Sequence, residues 1–273
     1  MPTVEQNLQQ WNQDYEWEKQ GDEWSSSWGG AEAQWFGAIF PRIHAYLPAA
    51  KILEIAPGFG RWTSYLRYQC EHLTVVDMAE SCITACRQRF ASDTHISYHV
   101  NDGKSLEMVP DDSIDFVFSF DSLVHCEADV MENYVKQIAQ KLTRNGVGFI
   151  HHSNIGEYSR EFQRMEKVPA ALKPSLMKRG YVDYNHWRAF SMTGQLFEQY
   201  CEHHGLQCVG QELVNWGAKR LIDCFSTFTK KDSIWARPNR VIRNPEFMKE
   251  AEMIKAWSPV HTATSFPNVR NKA

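Results

Sequence analysis

Short apolar segments alternate with helix-like segments between Lys51 and Asn154, and this alternation restricts the possible folds most strongly. Helical periodicity predicts three helices, in RWTSYLRYQC, ESCITACRQRFA and ADVMENYVKQIAQKLTRNG, the last closed by Asn145-Gly146. Compact apolar runs predict five strands, in KILEIA, HLTVVDM, ISYHVND, SIDFVFSFDS and VGFIHHSN. Strands joined by helices run parallel and need helices on both faces. The pattern therefore predicts an α/β fold with a doubly wound, mostly parallel sheet.

The remaining sequence completes this sheet and adds segments around it. Residues 155–190 show no clear period, after which MTGQLFEQYCEHHG predicts a helix and LQCVGQELV and LIDCFSTFTK predict two strands. We therefore predict a seven-stranded central domain over residues 49–231, with a lid insertion at residues 155–190. An N-terminal helical and aromatic cap, residues 1–48, precedes it. A C-terminal helix and tail, residues 232–273, follow it.

Composition narrows the partners and the compartment. A net charge of −4 and a pI near 6.3 provide no broad basic surface, so we expect a small molecule rather than nucleic acid as the partner. No apolar run reaches membrane-spanning length, and the polar, acidic N-terminus has no targeting pattern. Seven cysteines without a C-x-x-C pair indicate reduced thiols in a cytoplasmic protein, with Cys82 and Cys86 facing the core from one helix. The sequence is compatible with a homo-oligomer and does not specify the oligomeric state.

A glycine turn follows the first predicted strand. Gly58 and Gly60 lie where this strand turns into a helix, and a residue without a side chain lets a ligand lie against the backbone. A dinucleotide-binding loop would have a third glycine at the position of Thr63, so a nicotinamide-dependent oxidoreductase is the weaker interpretation. Asp77 ends the second strand at the spacing where an acid accepts hydrogen bonds from both ribose hydroxyls. These features predict a ligand that contains a nucleoside.

The segment from Glu54 to Gly60, EIAPGFG, resembles motif I of the class I S-adenosylmethionine-dependent methyltransferases, with Ala56 in place of the first glycine. VNDGKSL, PDDSIDFVFSFDSLVHCE and LTRNGVGFIHHSN resemble three further segments of that family. The resemblance covers about residues 49–154 in motif detail and extends weakly to Lys230 in strand order. It implies a Rossmann-like fold and S-adenosylmethionine as the cofactor.

The resemblance also implies roles for individual cofactor-binding residues. Glu54 is expected near the methionine amino group of the cofactor, or as a tie for the glycine loop. Asp102 is expected to contact the adenine amino group, with an Asx turn without a ligand role as the alternative. The full set expected at the cofactor is Glu54, Ala56, Pro57, Gly58, Gly60, Trp62, Asp77, Met78, Asp102, Gly103 and Phe120.

A hydroxyl acceptor must lose a proton during methyl transfer, which requires a base or a metal ion. Asp121 lies just beyond the fourth strand, and His125 follows it with packing or a cofactor contact as its alternative roles. Adjacent strand residues point to opposite faces, so only one of His151 and His152 can face the pocket, and we expect His152. A divalent ion held by Asp121, a histidine and Asn154 is the alternative to a histidine base.

The aromatic segments of the cap and the lid are candidates for the acceptor pocket. Aromatic rings can stack on sugar faces, and basic side chains can bind an anionic group, although core packing is the alternative for the tryptophans. The candidates are Trp28, Tyr158, Arg179, Tyr184, His186, Trp187 and Arg188.

The resemblance implies a bacterial methyltransferase, and we expect it to act on a hydroxyl of a small-molecule or saccharide acceptor. An N-methyltransferase of a small metabolite, a non-catalytic protein that binds the cofactor, and a methyltransferase of RNA or protein are the alternatives. The acidic pI disfavours RNA.

Overall fold

The computed structural model describes residues 3–181 and 183–261, which contain one eight-stranded sheet. The strands are β1 (Ala49–Ile55), β2 (Cys70–Asp77), β3 (Ile96–Val100), β4 (Ile114–Ser119), β5 (Leu142–Ser153), β6 (Leu206–Val214), β7 (Asp223–Lys230) and β8 (Val241–Asn244). Their order is β3-β2-β1-β4-β5-β7-β6-β8. β7 runs antiparallel to β5 and β6, and the other neighbouring pairs of the described sheet are parallel.

The predicted α/β class is confirmed, whereas the predicted seven-stranded, mostly parallel sheet is wrong in its strand number and too simple for this mixed sheet. The additional strand, β8, pairs with β6 at the edge of the sheet and is mostly exposed. Its sequence, VIRN, is short and has no buried face, so hydrophobic periodicity gave no signal for a strand.

Ten α-helices surround the sheet within the described residues. They are α1 (Val4–Gln9), α2 (Ala31–Gln34), α3 (Phe40–Ile43), α4 (Thr63–Leu66), α5 (Glu80–Arg89), α6 (Ala128–Lys141), α7 (Ser159–Glu166), α8 (Lys173–Lys178), α9 (Gly194–His203) and α10 (Phe247–His261). Short 3₁₀ and π turns at Gln10–Asp14, Asp22–Trp28, Trp35–Ile39 and His44–Tyr46 connect the N-terminal helices. The predicted C-terminal tail after α10, residues 262–273, lies outside the described residues.

Two helix boundaries differ from the predicted ones. The helix expected in RWTSYLRYQC is reduced to α4 because β2 begins at Cys70. The Asn145-Gly146 pair does not close α6, which ends at Lys141. Leu142 is buried and already pairs with Ile114 in the sheet, so the chain passes from helix to strand without a separate turn.

Alternate residues of the central strands enter apolar clusters on opposite faces of the sheet. On one face, Ile52 and Phe118 pack with Trp35 and Phe247, which belong to the N-terminal segment and α10. On the other face, the adjacent strand residues Leu53 and Val117 pack with helix side chains. These are Val135 of α6 and Phe197 of α9. Both faces are therefore covered, and much of the N-terminal cap is part of the core.

Two further observations on the described residues concern the cysteines and the lengths of the helices. Cys82 and Cys86 are both buried, as predicted, and the seven cysteines are free thiols. None of the helices between residues 3 and 261 combines the length and the apolar character that a membrane span requires.

Candidate active site

A cavity of about 380 Å³ opens at the carboxyl ends of β1, β2 and β4. This is where the strand order reverses between β1 and β4, and ligands of open α/β sheets bind at such a point. The loops after β1, β2, β3 and β4 form its floor, and the N-terminal segment, residues 3–30, closes it from above. The volume falls within the range of roughly 300–1,000 Å³ that is usual for small-molecule sites.

The glycine loop after β1 forms one wall of the cavity. Ala56, Gly58 and Gly60 have positive φ angles of 58°, 57° and 86°. A Cβ atom at Gly58 would lie 2.7 Å from the ring of Trp17, which covers the loop. A Cβ atom at Gly60 would lie 2.5 Å from the ring of Phe90, so this second glycine serves the packing of the loop against the end of α5.

Two acids that the sequence singled out have different surroundings. Thr63 Oγ1 donates a hydrogen bond to Glu54 Oε2 at 2.6 Å, so this carboxyl ties β1 to the start of α4. Burial raises the pKa of Glu54 to about 8. Asp77 lines the cavity and accepts from the backbone N–H groups of Ala79 at 2.8 Å and Gly58 at 3.3 Å. Burial raises the pKa of Asp77 to about 6.

The loop after β3 contributes its glycine but not its acid. Gly103 lines the cavity next to Met78. Asp102 is exposed, and its Oδ1 accepts from the backbone N–H groups of Lys104 and Ser105 at 2.9 and 2.7 Å. This contact is an Asx turn, the alternative role that the sequence left open for Asp102. The other expected cofactor residues on the cavity wall are Ala56, Pro57, Trp62 and Phe120.

A buried arginine–aspartate cluster, which consists of Arg61, Asp121, Arg188 and Asp223, borders the cavity. Arg61 Nη2 lies 3.0 Å from Asp121 Oδ2, and Arg188 donates two hydrogen bonds to Asp223 at 2.9 and 2.8 Å. Burial alone would raise the pKa of Asp223, but the Arg188 guanidinium and His151 hold it well below its usual range. Two guanidinium groups and two carboxylates therefore balance each other next to the site.

His151 lies behind Asp121. The backbone N–H of Asp121 donates to His151 Nδ1 at 3.1 Å, so Nδ1 is unprotonated and the hydrogen is on Nε2. Nε2 lies 3.0 Å from Asp223 Oδ2, at an angle too oblique for a good hydrogen bond. Both nitrogens thus face protein groups. His151 supports the backbone of Asp121, whose φ is 62°. Its imidazole is fully buried and therefore out of reach of a methyl acceptor.

His152 is on the opposite face of the sheet. Its ring stacks on Phe197 of α9 at 4.3 Å, and its nitrogens contact the Ser153 carbonyl oxygen and Ser226 Oγ. Burial lowers its pKa to about 4. The preference for His152 over His151 is therefore wrong, because the sequence gave the alternation along β5 but not which residues face the cavity.

His125 is the histidine that the cavity reaches. Its Nδ1 donates to the Trp187 carbonyl oxygen at 2.8 Å, which leaves a lone pair on Nε2. This nitrogen has no hydrogen-bond partner among the residues that the structure describes. The ring lines the cavity between Trp11 and Trp187. Burial, and secondarily Arg188, lowers the pKa of His125 to about 4, so the imidazole is neutral at pH 7.

The expected metal site does not fit these contacts. Asn154 donates to the Leu221 carbonyl oxygen and accepts from the backbone N–H of Gly194, and Asp121 is paired with Arg61. A different group, Glu132, His203 and His204, has its ligand atoms within 4.8 Å of one another, but it lies on α6 and at the end of α9.

Only part of the expected acceptor set reaches the cavity. His186, Trp187 and Arg188 line it. Trp28 is buried in the core against Trp216 and Phe247, which is the packing alternative. The remaining residues lie elsewhere: Tyr158 accepts a hydrogen bond from Arg243, and Arg179 and Tyr184 are exposed.

The sequence analysis named the N-terminal cap as a candidate for the pocket, but it missed Arg61 and the tryptophans of the cap that line the cavity. Trp11, Trp17 and Trp24 line the cavity, and Trp17 stacks on Phe59 of the glycine loop at 4.6 Å. The concentration of aromatic residues in WNQDYEWEKQGDEW was a usable signal. Large rings in an otherwise polar, acidic stretch indicate a surface that contacts a ligand or another part of the protein.

Comparisons with known proteins agree with this geometry. A family model described as a methyltransferase domain matches residues 52–146. A methyltransferase of Claviceps purpurea is 25% identical over 114 residues, which cover 40% of this chain and 35% of that protein. The chain thus spans about a third of the length of this curated relative.

Solved structures of methyltransferases share the fold. An S-adenosylmethionine-dependent methyltransferase from Clostridium acetobutylicum is 13% identical with a TM-score of 0.52, over 76% of this chain and 92% of that one. The N-methyltransferase NodS from Bradyrhizobium japonicum is 16% identical with a TM-score of 0.51, over 73% and 96% of the two chains. At these low sequence identities, the comparison shows a similar fold and nothing further.

Proposed function

We propose that this chain is an S-adenosylmethionine-dependent methyltransferase that methylates a hydroxyl of a small-molecule or saccharide acceptor, which the match of residues 52–146 to a methyltransferase domain supports. The supporting observation is that one cavity joins the glycine loop and Asp77 to the free Nε2 of His125. The first two suit a nucleoside, and the third suits an acceptor that loses a proton.

The cavity residues fit S-adenosylmethionine. Gly58 presents backbone without a side chain, Asp77 offers a carboxylate to the ribose hydroxyls, and Met78 with Gly103 leaves an uncharged surface for a base. The bound cofactor supplies a methyl group that its sulfonium activates for in-line displacement. The protein therefore has to bind, orient and exclude water, which the surrounding rings of Trp11, Trp17 and Trp24 favour.

His125 is the proposed general base. Its Nε2 accepts the proton of the acceptor hydroxyl, while the bond from Nδ1–H to the Trp187 carbonyl oxygen fixes the tautomer and the ring. Asp121 lies on the same wall, where Arg61 and the His151 imidazole hold it in place. We assign Asp121 to orienting the acceptor.

Methylation of an amine is the second candidate. A protonated amine would stack against the aromatic rings of Trp11, Trp24 and Trp187 and would have to lose a proton, for example to His125 Nε2, before its lone pair attacks the methyl group. A hydroxyl remains our first choice because a neutral imidazole with a free lone pair matches a neutral hydroxyl donor, whereas the net charge of the arginine–aspartate cluster is zero.

The test is transfer of labelled methyl from S-adenosylmethionine to a panel of small hydroxyl and amine acceptors. With the acceptor so identified, His125→Gln should lower the transfer rate by roughly 10²- to 10⁴-fold, the usual contribution of a general base. His44→Gln is the matched control because His44 is exposed and outside the cavity. Full activity of His125→Gln would remove the base from this scheme, and turnover of amines alone would favour the second candidate.

A further inference from the structure

Asn7 lines the cavity, and its side chain carries a buried polar atom without a partner among the described residues. The residue lies on α1 and is only 4% exposed. Its Nδ2 donates to the His125 carbonyl oxygen at 3.2 Å, and because a carbonyl only accepts, this contact fixes the orientation of the amide. Asn7 Oδ1 is then a buried acceptor without a hydrogen-bond partner between residues 3 and 261. A ligand that donates at this point would satisfy it.

The position of α1 shows which end of the cavity Asn7 serves. A Cβ atom at Gly103 would lie 2.9 Å from Val4 and 3.1 Å from Met78 Sδ, so α1 rests on the loops after β2 and β3. Tyr134 of α6 closes this end, where its hydroxyl accepts from Asn101 at 3.1 Å. The side chains of Asn7, Val4, Met78 and Tyr134 at this end are uncharged.

The opposite end of the cavity contains the charged groups. Arg61, Asp121 and Arg188 line the side that follows β1 and β4. Asp77 lies between these two ends and is the proposed position of the ribose. The planar, uncharged base then fits at the end formed by Met78 and Gly103. The reacting part of the cofactor then fits the charged side.

The residue expected to recognise the base is turned away from this end. Both backbone contacts of Asp102 are within its own turn, and the side chain is exposed. The loop after β3 therefore offers a flat surface at Gly103 without a side-chain acceptor from Asp102.

We propose that Asn7 Oδ1 accepts a hydrogen bond from the exocyclic amine of the cofactor's adenine, an inference that rests on the proposed function. The chain recognises the base with its N-terminal helix instead of with the loop after β3. A base that has a carbonyl oxygen in place of the amine sets two acceptors against each other and is rejected. Cofactor binding thereby also holds the N-terminal segment in place over the cavity.

The test compares S-adenosylhomocysteine with S-inosylhomocysteine, which carries an oxygen in place of the amine, by calorimetric titration. The protein as it stands should bind the inosyl compound roughly 10- to 100-fold more weakly, the effect of one buried donor–acceptor pair. In Asn7→Ala this ratio should fall to within about threefold, whereas the matched variant Asp102→Ala should keep it. The ratio is informative because a loosened α1 would weaken both ligands alike.

Two results would overturn the inference. Asn7→Ala could retain the full preference for the adenosyl compound, or Asp102→Ala could abolish it, which would return recognition to the loop after β3. If the unaltered protein bound neither compound, the proposed function itself would fail together with this inference. Thermal unfolding of both variants checks that the fold is retained.

Discussion

The carboxyl group of Asp77 is nearly enclosed by backbone, yet its pKa lies close to physiological pH. Burial raises that pKa to about 6, although the N–H groups of Ala79 and Gly58 oppose the rise. An acid with a raised pKa contributes to the stability of the free protein below its ordinary pKa, and this contribution is lost as the pH rises through about 6. Two ribose hydroxyl donors favour the ionised form and so act in the opposite direction.

The affinity for S-adenosylhomocysteine should therefore increase as the pH rises from 5 to 7. Below pH 6 the carboxyl must release a proton before it accepts from the ribose, so we expect binding roughly tenfold weaker at pH 5 than at pH 7. Calorimetric titration across this interval measures the slope. Asp77→Asn, which does not titrate, should show a flat profile. A flat profile in the unaltered protein would show that Asp77 does not meet the ribose.

Local patterns made some site residues predictable and left others out of reach. Gly58 and Asp77 follow apolar runs, so their places at strand ends are encoded by their neighbours in sequence. The turn at Asp102 depends on which way a carboxylate rotates, and a motif does not specify this rotation. The choice between His151 and His152 depends on which face of β5 lies over α9, which is decided by packing with Phe197.

At the scale of elements, the N-terminal segment has two parts with different roles. Trp28 and Trp35 are buried in the core, whereas Trp11 and Trp17 cover the cavity. A single helical and aromatic cap was predictable from composition. Its division was not, because the contacts of Trp28 are with Trp216 and Phe247, far away in sequence.

Residues 155–190 contain α7 and α8, although the sequence showed no period there. Phe162 and Met165 of α7 pack with Ile155 and Ile222 in a small separate cluster. Short helices that bury few residues leave a weak periodic signal. Among the described residues of this segment, His186, Trp187 and Arg188 reach the cavity, at its charged end.

Limited trypsin digestion should separate the two covering segments. S-adenosylhomocysteine alone should slow cleavage at the exposed Lys19, because the N-terminal segment covers the cofactor end. Cleavage at the exposed Lys167 and Lys178 should slow only when an acceptor is also bound. Mass spectrometry of the fragments gives both rates in one digest. Equal rates at Lys19 with and without ligand would mean that this segment is fixed packing instead of a lid.

At the scale of the whole molecule, the sheet brings distant motifs to one edge. β1 and β4 are neighbours although residues 56–113 separate them, so Gly58 and Asp121 meet in one cavity. The alternation of strands and helices was enough to predict this arrangement. The edge strand β8 was not predictable because it is short and mostly exposed, and the position of α10 was not predictable because Phe247 packs on Trp28, far away in sequence.

The central claim is that this cavity binds the methyl donor through Asp77. Calorimetry with S-adenosylhomocysteine at pH 7 tests it most directly. Loss of a pair of hydrogen bonds to a buried ribose is worth about 1.5–3 kcal/mol, so Asp77→Ala should weaken binding by roughly ten- to a hundred-fold, while Asp102→Ala and the unaltered protein should bind alike. Unchanged affinity in Asp77→Ala, or binding of NAD in place of S-adenosylhomocysteine, would contradict the account.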